Sequence, residues 1–250
     1  SYLTWRDGSF EIAKYWEPDF DTKVSISYEE ALSVTKELIE KAVDRRLISE
    51  RPLGSFLSGG YDSTVVTAYM AKLMSEKVQT YSIGFHSAQF NEAHHAKQVA
   101  NYLGTNHHEE ILNPDPALLV ETISKVLDQP FADSSIVPTY LLAKFARENL
   151  IVALGGDGGD EVFGGYDRYL ATPALQMANP VLGLARSSLN FLGKQSFGNK
   201  RKINRVGSQL SPKASLAHRY SSILSLAQPH ELSTLLSKEF LSSQAEQNSI

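Results

Sequence analysis

The sequence concentrates its chemistry in two glycine-rich stretches. The first, Ser58-Gly59-Gly60-Tyr61-Asp62-Ser63, puts two adjacent glycines, two serine hydroxyls and a carboxylate within six residues. Glycine lets backbone N–H groups come close to an anion, and Ser58 and Ser63 add hydroxyl donors. A helix starting just after the loop turns its positive end to the same spot. Asp62 stands where a carboxylate can hold Mg2+ against phosphates. The pattern therefore suits a phosphate chain with its metal. It is not a Walker A loop, which needs Gly-Lys-Ser/Thr after four spacer residues; the first lysine after these glycines is Lys72. Nor is it Gly-x-Gly-x-x-Gly.

The second stretch, Gly155-Gly156-Asp157-Gly158-Gly159-Asp160-Glu161-Val162-Phe163-Gly164-Gly165-Tyr166, sets three acids among six glycines. A second carboxylate opposite Asp62 would complete a Mg2+ site, because that ion takes one or two carboxylates together with substrate phosphates. Residues 155–163 also match the Gly-Gly-x-Gly-x-Asp-x-U-x nonapeptide of calcium-binding β-helices. That architecture needs tandem copies, and this chain has one.

Both stretches follow apolar runs, residues 52–57 and 150–154, that read as buried strands entering tight turns. Ser27 opens a helix: Ser27-x-x-Glu30 is a capping box, and Tyr28, Ala31, Leu32, Thr35, Leu38, Ile39, Ala42 and Val43 recur at helical spacing. Residues 63–74, apolar on all sides, predict a buried helix. Strands are predicted at 78–85 and 107–112. Helices are predicted at 92–103, closed by Gly104, and at 116–127 and 135–148. This alternation predicts an α/β fold, a doubly wound parallel sheet with helices on both faces. Ligands in such sheets sit beyond the carboxyl ends of the strands, at a switch in strand order, and both glycine stretches suit one such crevice. Residues 1–26 read as a connector with a turn at Glu17-Pro18-Asp19. The expected division is a connector at 1–26, a core at 27–169 and a helical, partly basic extension at 170–250.

Ser-Gly-Gly-x-Asp-Ser is the signature of the N-type ATP pyrophosphatases, whose sheet is of the adenine nucleotide alpha hydrolase-like kind. The stretch at 155–166 resembles the Gly-(Glu/Asp)-Gly-x-Asp-Glu-(Val/Leu)-Phe-Gly-Gly-Tyr segment of glutamine-dependent asparagine synthetases. Tyr102-Leu103-Gly104-Thr105-Asn106-His107-His108-Glu109 and Asp128-Gln129-Pro130-Phe131-Ala132-Asp133 are similar to further segments of that family, in family order. The resemblance runs from about Tyr15 to at least Tyr169.

The resemblance implies the C-terminal synthetase domain of such an enzyme, with ATP and Mg2+ as cofactors. A carboxylate, foremost the aspartate side chain, attacks the α-phosphate and pyrophosphate leaves. Ammonia derived from glutamine then attacks the acyl-adenylate to form an amide. By the match, Leu57, Ile83, Gly84, Gly155 and Gly156 border the nucleotide, and Ser58, Gly59, Gly60, Asp62 and Ser63 hold the pyrophosphate. Asp62 and Asp160 would bind Mg2+, and Asp157 would position or deprotonate the incoming amine. The ammonia would come from a glutaminase domain outside this chain, since that half needs an N-terminal cysteine. A homodimer of the full-length protein is a further arrangement to expect. The lysine-bearing segment that stabilises charge during adenylation is not recognisable before Ile250, so weak ATP binding and poor turnover are expected of these residues alone.

Three positions depart from the family pattern. Gly155 replaces a usual serine, Asp157 replaces a glutamate, and Phe131-Ala132-Asp133-Ser134 replaces a threonine-rich segment with an arginine. They leave open a relative that acts on another acceptor, such as a sugar acid or a β-lactam precursor. A tRNA-modifying pyrophosphatase is a second alternative.

Composition narrows the field. The chain has 250 residues, 42 % of them hydrophobic, enough for a sizeable core. It has no cysteine, which excludes disulfides, zinc–thiolate sites, thiolating chemistry and any thiol nucleophile within it. No run approaches the roughly 18 apolar residues of a membrane span, and Ser1-Tyr2-Leu3-Thr4-Trp5-Arg6 is no charged leader, so a cytoplasmic location is expected. Residues 1–167 carry 14 Lys/Arg against 25 Asp/Glu, whereas residues 168–230 carry nine Lys/Arg and no acid. That block, with Lys200-Arg201-Lys202, reads as a solvated or interdomain surface rather than a nucleic-acid site, because it lacks interleaved aromatics. His94-His95 and His107-His108 lack metal-ligand spacing and read as helix surface or strand end.

Overall fold

The chain opens with a hairpin, within the residues 1–26 that read as a connector. Strand β1 (Tyr2–Arg6) pairs antiparallel with β2 (Ser9–Ala13), from Tyr2↔Ala13 to Arg6↔Ser9. The two-residue loop Asp7-Gly8 has φ of 52° and 82°, both in the left-handed region that a tight hairpin of matching twist demands. Asp-Gly between aromatic runs was the missed signal. Its apolar side chains, Tyr2, Leu3, Trp5, Phe10 and Ile12, are exposed.

The computed structural model describes residues 1–19, 21–86, 92–113, 115–129, 131 and 133–170, with isolated positions between 215 and 237. It divides into two compact units, Ser1–Gly156 and Asp157–Ile250. The basic block and the helical extension expected beyond residue 170 lie outside the described residues except at those isolated positions.

Helix α1 (Tyr28–Asp44) starts where its cap predicts: Ser27 Oγ accepts the Glu30 N–H at 3.2 Å. The main sheet then alternates with helices: β3 (Leu53–Phe56), α2 (Tyr61–Leu73), β4 (Gln79–Phe85), α3 (Ala93–Leu103), β5 (Asn106–Leu112), α4 (Pro116–Val126), α5 (Ile136–Ala146) and β6 (Val152–Leu154). All four strands are parallel, in the order β5-β4-β3-β6. The chain thus builds outward from β3 through β4 to β5, then returns to lay β6 on the other side of β3. The switch in strand order falls between β3 and β6.

Alternate residues of β3 sort the two faces. Leu53 joins Val43 of α1, Met70 of α2, Val78 and Leu154 in one cluster, while Leu57, just past the strand, packs on Ala96 and Ala100 of α3. Phe56 faces the other way, with Tyr81, Leu142, Phe145, Ala146 and Leu150 around α5. Helices therefore cover both faces, as the alternation predicts. One expectation is corrected. Helix α2 is not buried all round: Ser63, Thr67 and Met70 form its buried stripe, while Val65 is exposed. It belongs to an outer layer, where one face must meet solvent even though valine and alanine occupy it. It also begins two residues earlier than the pattern suggested, with Gly60 as its N-cap. Among the described residues no helix is long and apolar enough to cross a membrane.

Candidate nucleotide site

Leu57 passes the chain from β3 into the first glycine loop. Its N–H donates to Tyr81 O at 2.9 Å. Its side chain is 1 % exposed, so what Leu57 can offer a ligand is backbone. The loop is wound about the Ser63 hydroxyl. Ser58 N–H donates to Ser63 Oγ at 3.3 Å, the two serine Oγ atoms lie 3.0 Å apart, and Ser63 Oγ donates to Gly60 O at 3.3 Å. Gly60 N–H donates to Ser58 Oγ at 3.2 Å. The serines thus hold the loop's shape as well as supplying polar groups, which sets the geometry before any ligand arrives.

Gly59 is required twice over. Its φ is +85°, and a Cβ there would lie 2.7 Å from Ala96 N and His95 Cβ. The first turn of α3 is pressed onto the loop. Helix α2 follows with no side-chain cap at Gly60, which leaves the donors of its first turn to a ligand or water. Thr64, in that same turn, has a buried Oγ1 with no hydrogen-bond partner among the described residues. The uncapped amides and the glycine pair form a donor set that fits an anion. Asp62, half-buried on the same turn, supplies the hard oxygen ligand that Mg2+ prefers.

The neighbouring strands frame this loop. The β3–β4 register ends at Phe56↔Tyr81, whereas β4 continues beside β5 to Phe85↔Leu112. Ile83, half-buried, and Gly84, buried, therefore run past the carboxyl end of β3. On the other side, Ser55 pairs with Leu154 at the end of β6, and Gly155 and Gly156 follow directly. A Cβ on Gly156 would lie 2.6 Å from Ser63 N and 2.7 Å from Asp62 Cβ. The two loops touch at Gly156 and the first turn of α2, at the switch in strand order.

Asp157 and Asp160 belong to the second unit. Asp157 is exposed, and Asp160 is half-buried in the short helix α6 (Gly159–Phe163). The carboxylate of Asp160 lies against Gly165, where a Cβ would overlap it, and Gly165 N–H donates to Asp160 O at 3.0 Å. Tyr166 OH donates to Glu161 Oε1 at 2.7 Å. That bond holds the Glu161 carboxyl below its ordinary range and raises the Tyr166 phenol. The Arg168 guanidinium stacks over the Tyr166 ring, 3.4 Å from its centre.

Sequence reasoning missed the polar residues beneath the site. Ser55 and Thr67, fully buried, are bonded to each other at 2.8 Å between β3 and α2. His107 bridges the Thr80 hydroxyl (3.0 Å from Nδ1) and the Ser82 hydroxyl (3.3 Å from Nε2), and burial pushes its pKa down. Single serines and threonines in apolar runs carry no spacing signal, so only the paired strands reveal them. His94 and His95 are exposed, and no cluster of three or more His, Asp or Glu able to hold a metal occurs among the described residues.

The asparagine synthase family model matches residues 35–246. A putative asparagine synthetase (glutamine-hydrolyzing) 2 of Methanocaldococcus jannaschii is 40 % identical over 165 residues, covering 64 % of this chain and 32 % of that protein. Asparagine synthetase (glutamine-hydrolyzing) 1 of Bacillus subtilis is 32 % identical over 166 residues, covering 65 % of this chain and 26 % of that protein. The chain thus spans a third or less of the length of these curated relatives. Among solved structures it is similar to an NH3-dependent NAD synthetase of Campylobacter jejuni, with a TM-score of 0.35 and 15 % identity over 57 % of this chain and 62 % of that one. It is also similar to an NMN synthetase of Francisella tularensis, with a TM-score of 0.36 and 17 % identity over 58 % of this chain and 61 % of that one.

Proposed function

The chain belongs to the asparagine synthase family, and on that premise we propose that it carries the ATP-dependent, amide-forming step of such an enzyme. The observation that carries this reading is the meeting of the two glycine loops at the switch in strand order, where Gly156 packs on Asp62 and Ser63. ATP lies across these loops. The uncapped turn of α2, Gly59 and Gly60 receive the pyrophosphate portion, Leu57, Ile83, Gly84, Gly155 and Gly156 border the remainder, and Ser58 and Ser63 keep the loop in shape.

A carboxylate and a triphosphate repel each other, so their approach needs cationic and N–H compensation. Asp62 and Asp160 would hold Mg2+, which would supply charge neutralisation. The acceptor carboxylate oxygen bonds to the α-phosphorus as pyrophosphate departs. Ammonia then bonds to the acyl carbon, AMP leaves, and the nitrogen loses a proton, which Asp157 is placed in sequence to take. The aspartate side chain is the leading acceptor, and the ammonia comes from glutamine hydrolysed outside this chain. The changes at Gly155, Asp157 and Phe131-Ala132-Asp133-Ser134 favour, as a second reading, another carboxylate such as a sugar acid or a β-lactam precursor.

Pyrophosphate release by the full-length protein, measured with MgATP, ammonia and a panel of carboxylates, tests both readings. Stimulation by aspartate alone supports the first, and stimulation by another acid alone supports the second. No stimulation by any acid, or Asp62→Ala leaving Mg2+-dependent nucleotide binding unchanged, overturns the assignment.

A further inference from the structure

We propose that Thr67 and Ser55 are positioning residues for ATP, forming a buried hydroxyl chain that fixes the spacing between the two glycine loops. The inference rests on the nucleotide reading above. Its atoms run from one loop to the other without a break. At the first loop, Ser63 Oγ braces Ser58 and Gly60. One helical turn on, Thr67 Oγ1 donates to Ser63 O at 2.7 Å. Thr67 Oγ1 lies 2.8 Å from Ser55 Oγ, and Ser55 Oγ lies 3.3 Å from Leu154 O, the last residue before Gly155-Gly156.

Each hydroxyl has one proton to give. Thr67 gives its own to Ser63 O, so Ser55 shares its single proton between Thr67 Oγ1 at 2.8 Å and the more distant carbonyls of Leu154 at 3.3 Å and Phe56 at 3.4 Å. The chain thus crosses from α2 through β3 to β6 and needs both hydroxyls. Its two ends are the residues that flank the Gly156–Ser63 contact, where 2.6 Å separates Ser63 N from the place of a Gly156 Cβ. That packing has no slack, so a small shift of α2 on the sheet alters the gap that ATP must span. An apolar valine–alanine pair would fill the same space, but it would leave the axial position of α2 on β3 unfixed, because dispersion contacts are not directional.

The two single changes have different side effects. In Thr67→Val the Ser55 proton turns to Leu154 O, so no buried donor is stranded and the fold is retained. In Ser55→Ala, Thr67 keeps its bond to Ser63 O. Both lose the link between helix and sheet. Calorimetric titration of the 250-residue protein with MgATP is expected to show the dissociation constant raised about tenfold in each. The double variant is expected to be no weaker than the weaker single, because one chain is broken once or twice. Thr67→Ser, which restores the hydroxyl without the methyl, recovers wild-type binding. Wild-type affinity in Thr67→Val and Ser55→Ala overturns the proposal, as does Thr67→Ser binding no better than Thr67→Val. Should Thr67→Val fail to fold by circular dichroism, Ser55→Ala alone decides. Wild-type protein that binds no MgATP overturns the nucleotide reading itself, a result distinct from all of these.

Discussion

Gly156 faces the Asp62–Ser63 peptide group across the space its side chain would occupy. Ser63 N and Asp62 C lie 2.6 and 2.9 Å from the position of a Cβ, and neither can swing aside as the tip of a side chain can. Gly156→Ala must therefore move the first turn of α2. A destabilisation of about 1–3 kcal/mol is expected from such overpacking, read from the denaturant midpoint, together with MgATP binding weakened more than the stability loss accounts for. Retention of wild-type affinity would show that the close contact is incidental. Gly59→Ala is expected to be worse, because it adds left-handed strain to an equally close contact with α3. At this scale the sequence nominates residues and does not say how their side chains are used. Ser58 and Ser63 were legible as polar groups of a phosphate loop, but their bond to each other exists only once the loop closes. Leu57 was legible only as a candidate for a nucleotide's edge, and its side chain belongs to the core under α3, because the strand's alternation, invisible in a run of apolar residues, decides its face.

Helix α3 ends at Gly104, whose φ is +69° and around which a Cβ would meet nothing within 4 Å. Gly104→Ala therefore isolates backbone strain from packing. A loss of about 1–2 kcal/mol is expected, with MgATP affinity unchanged, and a fall in affinity would mean that α3 transmits strain to Gly59. Strand β5 offers a test by pH. Burial lowers the pKa of His107, with Glu109 opposing and Lys97 and His108 adding to the shift. The folded state prefers neutral imidazole, so the unfolded chain binds more protons as the medium acidifies. The contribution is complete above the ordinary histidine value of about 6.5 and is lost as pH falls through the lowered folded value. Urea midpoints are expected to fall more steeply from pH 7 to pH 5 in the wild type than in His107→Gln, and parallel profiles would remove His107 from the acid response. Elements were the most legible level. The Ser27 cap and the Gly104 stop were each placed by local chemistry that tertiary structure does not override. The hairpin was missed because its Asp-Gly turn was passed over for the aromatics around it. The outward face of α2 was missed because valine and alanine report helix and apolarity, not layer.

At the scale of the whole chain, the parallel alternation was legible but the strand order was not, since pairing between β3 and β6 joins residues a hundred positions apart with no shared sequence signal. That pairing is nonetheless what brings Gly156 to Asp62, so the site exists only at this level. The same scale limits what these 250 residues can do. They contain no cysteine, so no thiol is present to attack glutamine and form the covalent intermediate of thiol-dependent hydrolysis. Incubated with glutamine, the protein is expected to release no glutamate. Any amide it makes with MgATP and an acceptor carboxylate must then draw on free ammonia. Because only the unprotonated molecule has a lone pair to donate, the rate with an ammonium salt is expected to rise with pH across the neutral range, while pyrophosphate release without ammonia does not follow that rise. Coupled assays for glutamate, pyrophosphate and the amide separate these outcomes. Glutamate release would require a hydrolytic centre of a different kind, and an amide rate that does not rise with pH would show that free ammonia is not the nitrogen donor.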